Sequence, residues 1–273
     1  MCEKGTNAIC TVYNIGKFLE YSVEKRATSI FDVPLKKRKI LCSAEDPARE
    51  FVSVDFCARN EKLLVTASGG PEARVIIWNW DKQRCMSFCE LGPRGKSTVS
   101  QVSFSPVEPS VVVVTGIEFY RYLKLDGPNL KALPIQIHRR ENDSHFSNNY
   151  TCHAWLNDGR FIICNDHGQI MLLDSSGEYK GVTISDPRKE SFPIWAVSTF
   201  SGVSQDGAGG AAAAQGSKSA GSSKSGFIVA GESGRIRCFV KNDADPKKPY
   251  VRVEGDDLYP AQEHYLRDNN PAS

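Results

Sequence analysis

Residues 161–174 read apolar, polar, apolar. Phe161, Ile162, Ile163 and Cys164 come first, Asn165, Asp166, His167 and Gly168 interrupt, and Ile170, Met171, Leu172 and Leu173 resume. Asn, Asp and Gly tolerate the positive φ angles of tight turns, so the stretch predicts a β-hairpin. The order returns at 227–240: Phe227, Ile228, Val229 and Ala230, a turn through Glu232 to Gly234, then Ile236, Cys238 and Phe239. One hairpin cannot bury its own apolar face, and a recurring one implies a stack of like units.

The rest of the chain follows suit. Phe51, Val52, Val54 and Phe56 predict a strand over 51–56, and further strands follow at 63–67, 74–80 and 84–88. Equivalent sets of four fall at 99–104, 111–115, 118–125 and 130–137, and at 150–155, 161–164, 169–173 and 179–184. A fourth set runs 194–200, 227–230, 235–240 and 250–253. The first-strand landmarks Phe56, Phe104, Trp155 and Phe200 are 48, 51 and 45 residues apart. Four strands per 40–50 residues is the signature of a propeller blade. No sustained 3.6-residue period competes with it.

The expected fold is all-β: a WD40-like β-propeller, partial, with about four full four-stranded blades plus half of another. Residues 1–26 are poorly patterned. Residues 27–33 and 35–41 read as the last two strands of a blade whose first half is missing or degenerate. The propeller spans 27–254, and 255–273 form a polar tail. Residues 203–225 are rich in Gly, Ser and Ala and cannot bury enough surface to offset chain entropy, so they predict a flexible insertion in the fourth complete blade. Its serines suggest a regulatory loop as the less economical alternative. An unclosed ring exposes sheet faces and edges. The chain is therefore expected to be a fragment that aggregates or stays partly unfolded when expressed alone.

Composition narrows the function classes. The 273 residues are 40% apolar, enough for a large core. A net charge of +2 gives no electrostatic footprint for nucleic acid or an anionic membrane. No apolar run approaches a membrane span, and the N-terminus lacks the apolar core of a secretory signal. Nine cysteines, odd in number and scattered through apolar runs, suit buried reduced thiols in a cytosolic protein.

Trp78-Asn79 and Leu173-Asp174 end predicted third strands where WD repeats carry their Trp-Asp dipeptide, and Trp80-Asp81 supplies the literal pair two residues late. The chain resembles WD repeats, with one departure. It has no Gly-His dipeptide, so the family's buried His–Asp–Ser/Thr–Trp network is expected to be absent. Several segments are more distinctive: the run Val33 to Lys39, Phe51 to Val54 preceded by Arg49-Glu50, Ile77 to Gln83, Val102 to Pro106, and Asn149 to Trp155. In these, residues 27–254 resemble the N-terminal part of a family of WD-repeat axonemal proteins of cilia and flagella. That resemblance implies a scaffold acting through other proteins, axonemal or dynein-associated, that helps assemble or anchor inner dynein arms. It also implies localisation to the axoneme, within the cytoplasm and cytoskeleton.

Several constellations invite chemistry. Cys152, His153, Cys164 and His167 form a metal set on paper but lack the paired spacing of zinc sites, and Cys152 and His153 should face opposite ways on one strand. Cys85 and Cys89 should share a strand face about 13 Å apart, too far for one ion. No nucleophile elbow, Walker loop or dinucleotide fingerprint occurs. Catalytic, cofactor-binding and metal residues are accordingly all expected to be none, with no cofactor. Lys36 to Lys39 could be a nuclear address, but a charged outer strand that shields a sheet edge explains them more simply. Arg94, Tyr120, Arg139, Arg140 and Phe146 fall on predicted loops and are the side chains that could anchor a partner. Packing is the plainer role for Tyr120 and Phe146. The expected function is a non-catalytic interaction scaffold of the axoneme. The alternatives are a general cytoplasmic or nuclear WD-repeat adaptor, or a propeller hydrolase with a Ser–His pair or clustered carboxylates at the central channel.

Overall fold

In the computed structural model the described residues are 12–13, 17–22, 27–32, 37–41, 51–69, 73–92, 98–135, 137, 146–184, 192–201, 225–232, 234 and 236–253; through residue 38 only the backbone is described. They form twenty strands in five antiparallel sheets of four, each a simple up-and-down meander. The first sheet holds β1 (Val12–Tyr13), β2 (Lys17–Ser22), β3 (Ala27–Asp32) and β4 (Lys37–Leu41). The second holds β5 (Phe51–Phe56), β6 (Leu63–Ser68), β7 (Arg74–Asn79) and β8 (Arg84–Glu90). In the third are β9 (Thr98–Phe104), β10 (Val111–Ile117), β11 (Phe119–Asp126) and β12 (Asn129–Ala132). The fourth comprises β13 (Tyr150–Trp155), β14 (Phe161–Asn165), β15 (Ile170–Leu173) and β16 (Tyr179–Thr183). In the fifth are β17 (Ile194–Ser201), β18 (Ser225–Gly231), β19 (Ile236–Lys241) and β20 (Tyr250–Arg252).

The two recurring hairpins occupy equivalent places, as the second and third strands of the fourth and fifth sheets. Gly168 (φ 78°) and Gly234 (φ 67°) close their turns in the left-handed region that glycine enters without a Cβ penalty. The first strands stand side by side in chain order, β5 against β9, β9 against β13 and β13 against β17.

Alternation along these first strands builds the core. In β5, Val54 and Phe56 turn back to Leu41 of β4 and pack with Leu64, Ile76, Trp78 and Trp80. In β9, Val102 and Phe104 turn back to Val65, Val75 and Ile77 of the second sheet. In β13, Cys152 and Ala154 turn forward to Ile194, Phe227, Val229 and Phe239 of the fifth. Among the described residues, neighbouring sheets from the second to the fifth thus share apolar faces, and Leu41 joins the first to the second. The far face of the fifth sheet differs, because Ile228 and Val251 there remain 38% and 39% exposed.

Three expectations change. The first sheet has four strands: β1 and β2 supply the half expected to be missing. β12 ends at Ala132 rather than residue 137. Leu133 leaves the ladder, donates its N–H to the Tyr122 carbonyl (2.9 Å), and packs with Ile135 and Ile137 against Tyr120, Phe161 and Ile163. Finally, Cys85 and Cys89 do not share a face. Trp78 pairs with Cys85 and Ile77 with Ser87, so Met86 is the extra residue of a bulge. Cys85 packs with the Trp78 cluster and Cys89 with the Val75 cluster on the other side. The insertion joins β17 to β18, which pair from Ile194 opposite Gly231 to Ser201 opposite Ser225; residues 203–224 lie outside the described residues.

Candidate interaction surface

Polar side chains stitch the first strands together. Ser53 and Asp55 of β5 point forward and accept the N–H groups of Val102 (3.0 Å) and Phe104 (2.9 Å) in β9. Gln101 of β9 donates to the His153 carbonyl of β13 (3.1 Å) and accepts its N–H (2.9 Å). Thr151 of β13 donates to the Ile194 carbonyl of β17. Asp55 retains some exposed surface as a residue, yet burial of the carboxyl pushes its pKa up to about 7 against the two backbone N–H groups that favour the charge.

One buried polar cluster lies between the third and fourth sheets. The Trp155 indole donates to Ser103 Oγ (2.8 Å), Ser103 Oγ is 2.7 Å from His153 Nε2, and His153 Nδ1 is 2.9 Å from Thr115 Oγ1. Ser103 Oγ accepts from Trp155 and keeps a second lone pair and its proton for His153, so either neutral tautomer of His153 satisfies both ring nitrogens between the Ser103 and Thr115 hydroxyls. This is a Ser–His pair, the feature a hydrolase would require, but it is buried on every side and the histidine is backed by a hydroxyl rather than a carboxylate. Burial pushes the His153 pKa down to about 3. The cluster suits a neutral clamp between sheets.

The paper metal set does not converge. Cys152 and Cys164 are opposite one another across β13 and β14, with their thiols hydrogen-bonded together, which with burial pushes Cys164 well above the usual thiol range. His153 faces the third sheet, and His167 sits exposed on the β14–β15 turn. Among the described residues no three His, Cys, Asp or Glu side chains cluster as a metal site, and no helix is long and apolar enough to cross a membrane.

The WD-like landmarks have local duties. Trp78 is fully buried and donates its indole N–H to Thr66 Oγ1 (2.9 Å), so the Trp–Thr bond of the family network is present although the full network was expected to be absent. Asn79 and Asp174, the residues after Trp78 and Leu173, cap the next turn by accepting the N–H groups of Lys82 (3.0 Å) and Ser176 (3.0 Å). Lys37, Arg38 and Lys39 lie on outermost strand β4, as the edge reading expects; Lys39 pairs with Asp81 and covers the Trp80 ring, while Lys36 lies outside the described residues. Tyr120 is buried, its hydroxyl donating to the Gly177 carbonyl (3.0 Å), and Phe146 packs partly buried in the same cluster. Arg94, Arg139 and Arg140 lie outside the described residues.

One cleft escaped the sequence reading. It holds about 300 Å³ and lies where the β10–β11 turn meets the chain entering β13. Glu118, Phe119 and Arg121 form one wall, with Asn148 and Tyr150 across from them. Exposed Ile117 and its bridge to Asn149 tie the two walls together. No motif marks it, because its walls are about 30 residues apart in the chain.

Four-stranded meanders stacked by their first strands define a WD-type β-propeller. The crystal structure of the Cps50 (Swd1) β-propeller domain of Myceliophteria thermophila matches with a TM-score of 0.62, covering 89% of this chain and 69% of that one at 12% identity, a likeness of fold alone. No protein-family model matches. By sequence, the chain is 30% identical over 158 residues to mouse "Cilia- and flagella-associated protein 57", covering 57% of this chain and 12% of that protein. It is 26% identical over 217 residues to "Cilia- and flagella-associated protein 57 A" of Tetrahymena thermophila, covering 78% of this chain and 15% of that protein. The resemblance read from the distinctive segments is borne out by these homologues. The chain spans 12% and 15% of their lengths.

Proposed function

We propose that this chain is a non-catalytic protein-interaction scaffold of the ciliary and flagellar axoneme, and that it helps assemble or anchor inner dynein arms. The similarity to proteins named for cilia and flagella carries the reading. The fold supports it, since a propeller offers rigid loop-rich faces for docking, and its Ser–His pair is buried. The test is localisation of a tagged copy in ciliated cells. Signal along the axoneme, with inner arms depleted when the gene is silenced, is the expected result. Uniform cytoplasmic or nuclear signal would favour a general WD-repeat adaptor.

The domain reading extends this proposal. The exposed Ile228 and Val251 face is equivalent to the Cys152 and Ala154 face that the fifth sheet covers. A further four-stranded sheet fits there, and the propeller proper is then larger than residues 27–254.

A further inference from the structure

The geometry points to the cleft between the third and fourth sheets as a reader of a single acidic side chain, presented by an extended segment of a partner protein and received by Arg121. This deepens the scaffold reading and rests on it. Arg121 is one of the residues lining the cleft; its guanidinium stands 5.8 Å from the Phe119 ring, donates one N–H to the Tyr120 carbonyl (3.0 Å), and its charge also reaches the Cys89 thiol of the second sheet. Among the described residues no carboxylate pairs with it. An oriented, half-buried guanidinium with unused donors matches a planar carboxylate, which it binds by two parallel hydrogen bonds.

The neutral groups nearby are already engaged. Tyr120 is committed to Gly177, and the Tyr150 hydroxyl lies 3.4 Å from Asn148 Oδ1. The surrounding geometry holds the guanidinium in place. A Cβ on Gly116 would stand 2.2 Å from the Thr98 carbonyl oxygen and 2.4 Å from the Phe119 ring, so only glycine lets that ring back Arg121. Glu118 adopts φ 62°, a conformation rare for glutamate, and such outliers concentrate at binding sites. The Ile117–Asn149 bridge fixes the walls before any ligand arrives, which lowers the ordering cost of binding. The partner's chemistry follows from the rim. Ile117, 46% exposed, offers contact to an aliphatic neighbour of the acid. The Glu118 carboxylate repels a second acid, so the segment carries one acid among aliphatic residues, not an acidic run.

The full chain, incubated with an array of short synthetic peptides carrying Glu, Gln or Lys at one fixed position between aliphatic residues, tests this. The Glu series should retain about tenfold more protein than the Gln or Lys series. Arg121→Glu should erase that preference and favour Lys, and Arg121→Lys should weaken without reversing it. Glu118→Gln should admit peptides with two adjacent acids. Thermal unfolding of each variant, matched to the unsubstituted chain, separates lost recognition from lost fold. Equal retention by all three series, no retention, or an unchanged Glu preference in Arg121→Glu overturns the proposal. Each of those results leaves the axonemal reading standing, because localisation tests it separately.

Discussion

His153 and Asp55 show how a single buried group sets the response to pH. His153 has a folded pKa of about 3, below the ordinary histidine value of 6.5. Between those values the unfolded chain binds the extra proton, so stability falls as pH drops from 6.5 towards 3. Asp55 works in the opposite sense: its folded pKa of about 7 exceeds the ordinary 3.8, and its contribution is lost as pH rises from 3.8 through 7. The two slopes offset one another between pH 3.8 and 6.5, so thermal midpoints should be level there and fall only below and above that window. His153→Gln should flatten the acid limb, and Asp55→Asn the limb towards neutrality. Trp78 gives a second expectation at this scale. Trp78→Phe keeps most of the packing but strands the buried Thr66 hydroxyl, costing about 1–3 kcal/mol by urea unfolding. In Thr66→Val the same change at Trp78 should cost less, because no hydroxyl is left unpaired.

Turns and bulges decide what the elements do. Tyr122 of β11 donates its hydroxyl to the Ser175 carbonyl (2.8 Å), and Tyr120 reaches Gly177 two residues on, so the third sheet grips the β15–β16 turn of the fourth. At Gly177 φ is 88°, and a Cβ would lie 2.5 Å from the Tyr122 ring. Gly177→Ala therefore strains the backbone and pushes the ring away; a loss of about 2 kcal/mol in urea unfolding is expected, where Gly127→Ala, with open space, should lose only the backbone part. Most strands were legible because their apolar runs and turn residues are local: Phe161 to Asp174 declares its hairpin without help from elsewhere. The Met86 bulge was not legible, since a one-residue shift leaves no mark on composition yet flips Cys85 to the other face. Nor was the end of β12, because Leu133, Ile135 and Ile137 keep the alternation after the ladder stops. β1 is two residues long, too short to carry a pattern.

At the scale of the whole molecule, the clamp and the cleft are products of stacking. Ser103, Thr115 and His153 come from three strands of two sheets, and no spacing rule joins them. What the sequence could convey was the repeat, and with it the number of faces needing cover. The fifth sheet's Ile228 and Val251 face supplies the prediction here. The chain should associate through that face as its concentration rises, and Ile228→Glu with Val251→Glu should keep it monomeric without lowering its melting temperature. Sedimentation of both forms decides it; a monomeric unsubstituted chain at high concentration would count against an unmet sheet face.

β17 and β18 are zipped together down to Ser201 opposite Ser225, so whatever links them hangs from a clasp that is already closed. Chain added between two ends that are already held together costs little, about 0.6 kcal/mol for each doubling of its length when the added chain is flexible. A fluorescent reporter spliced between Ser201 and Ser225 should leave the protein's melting temperature almost where it was.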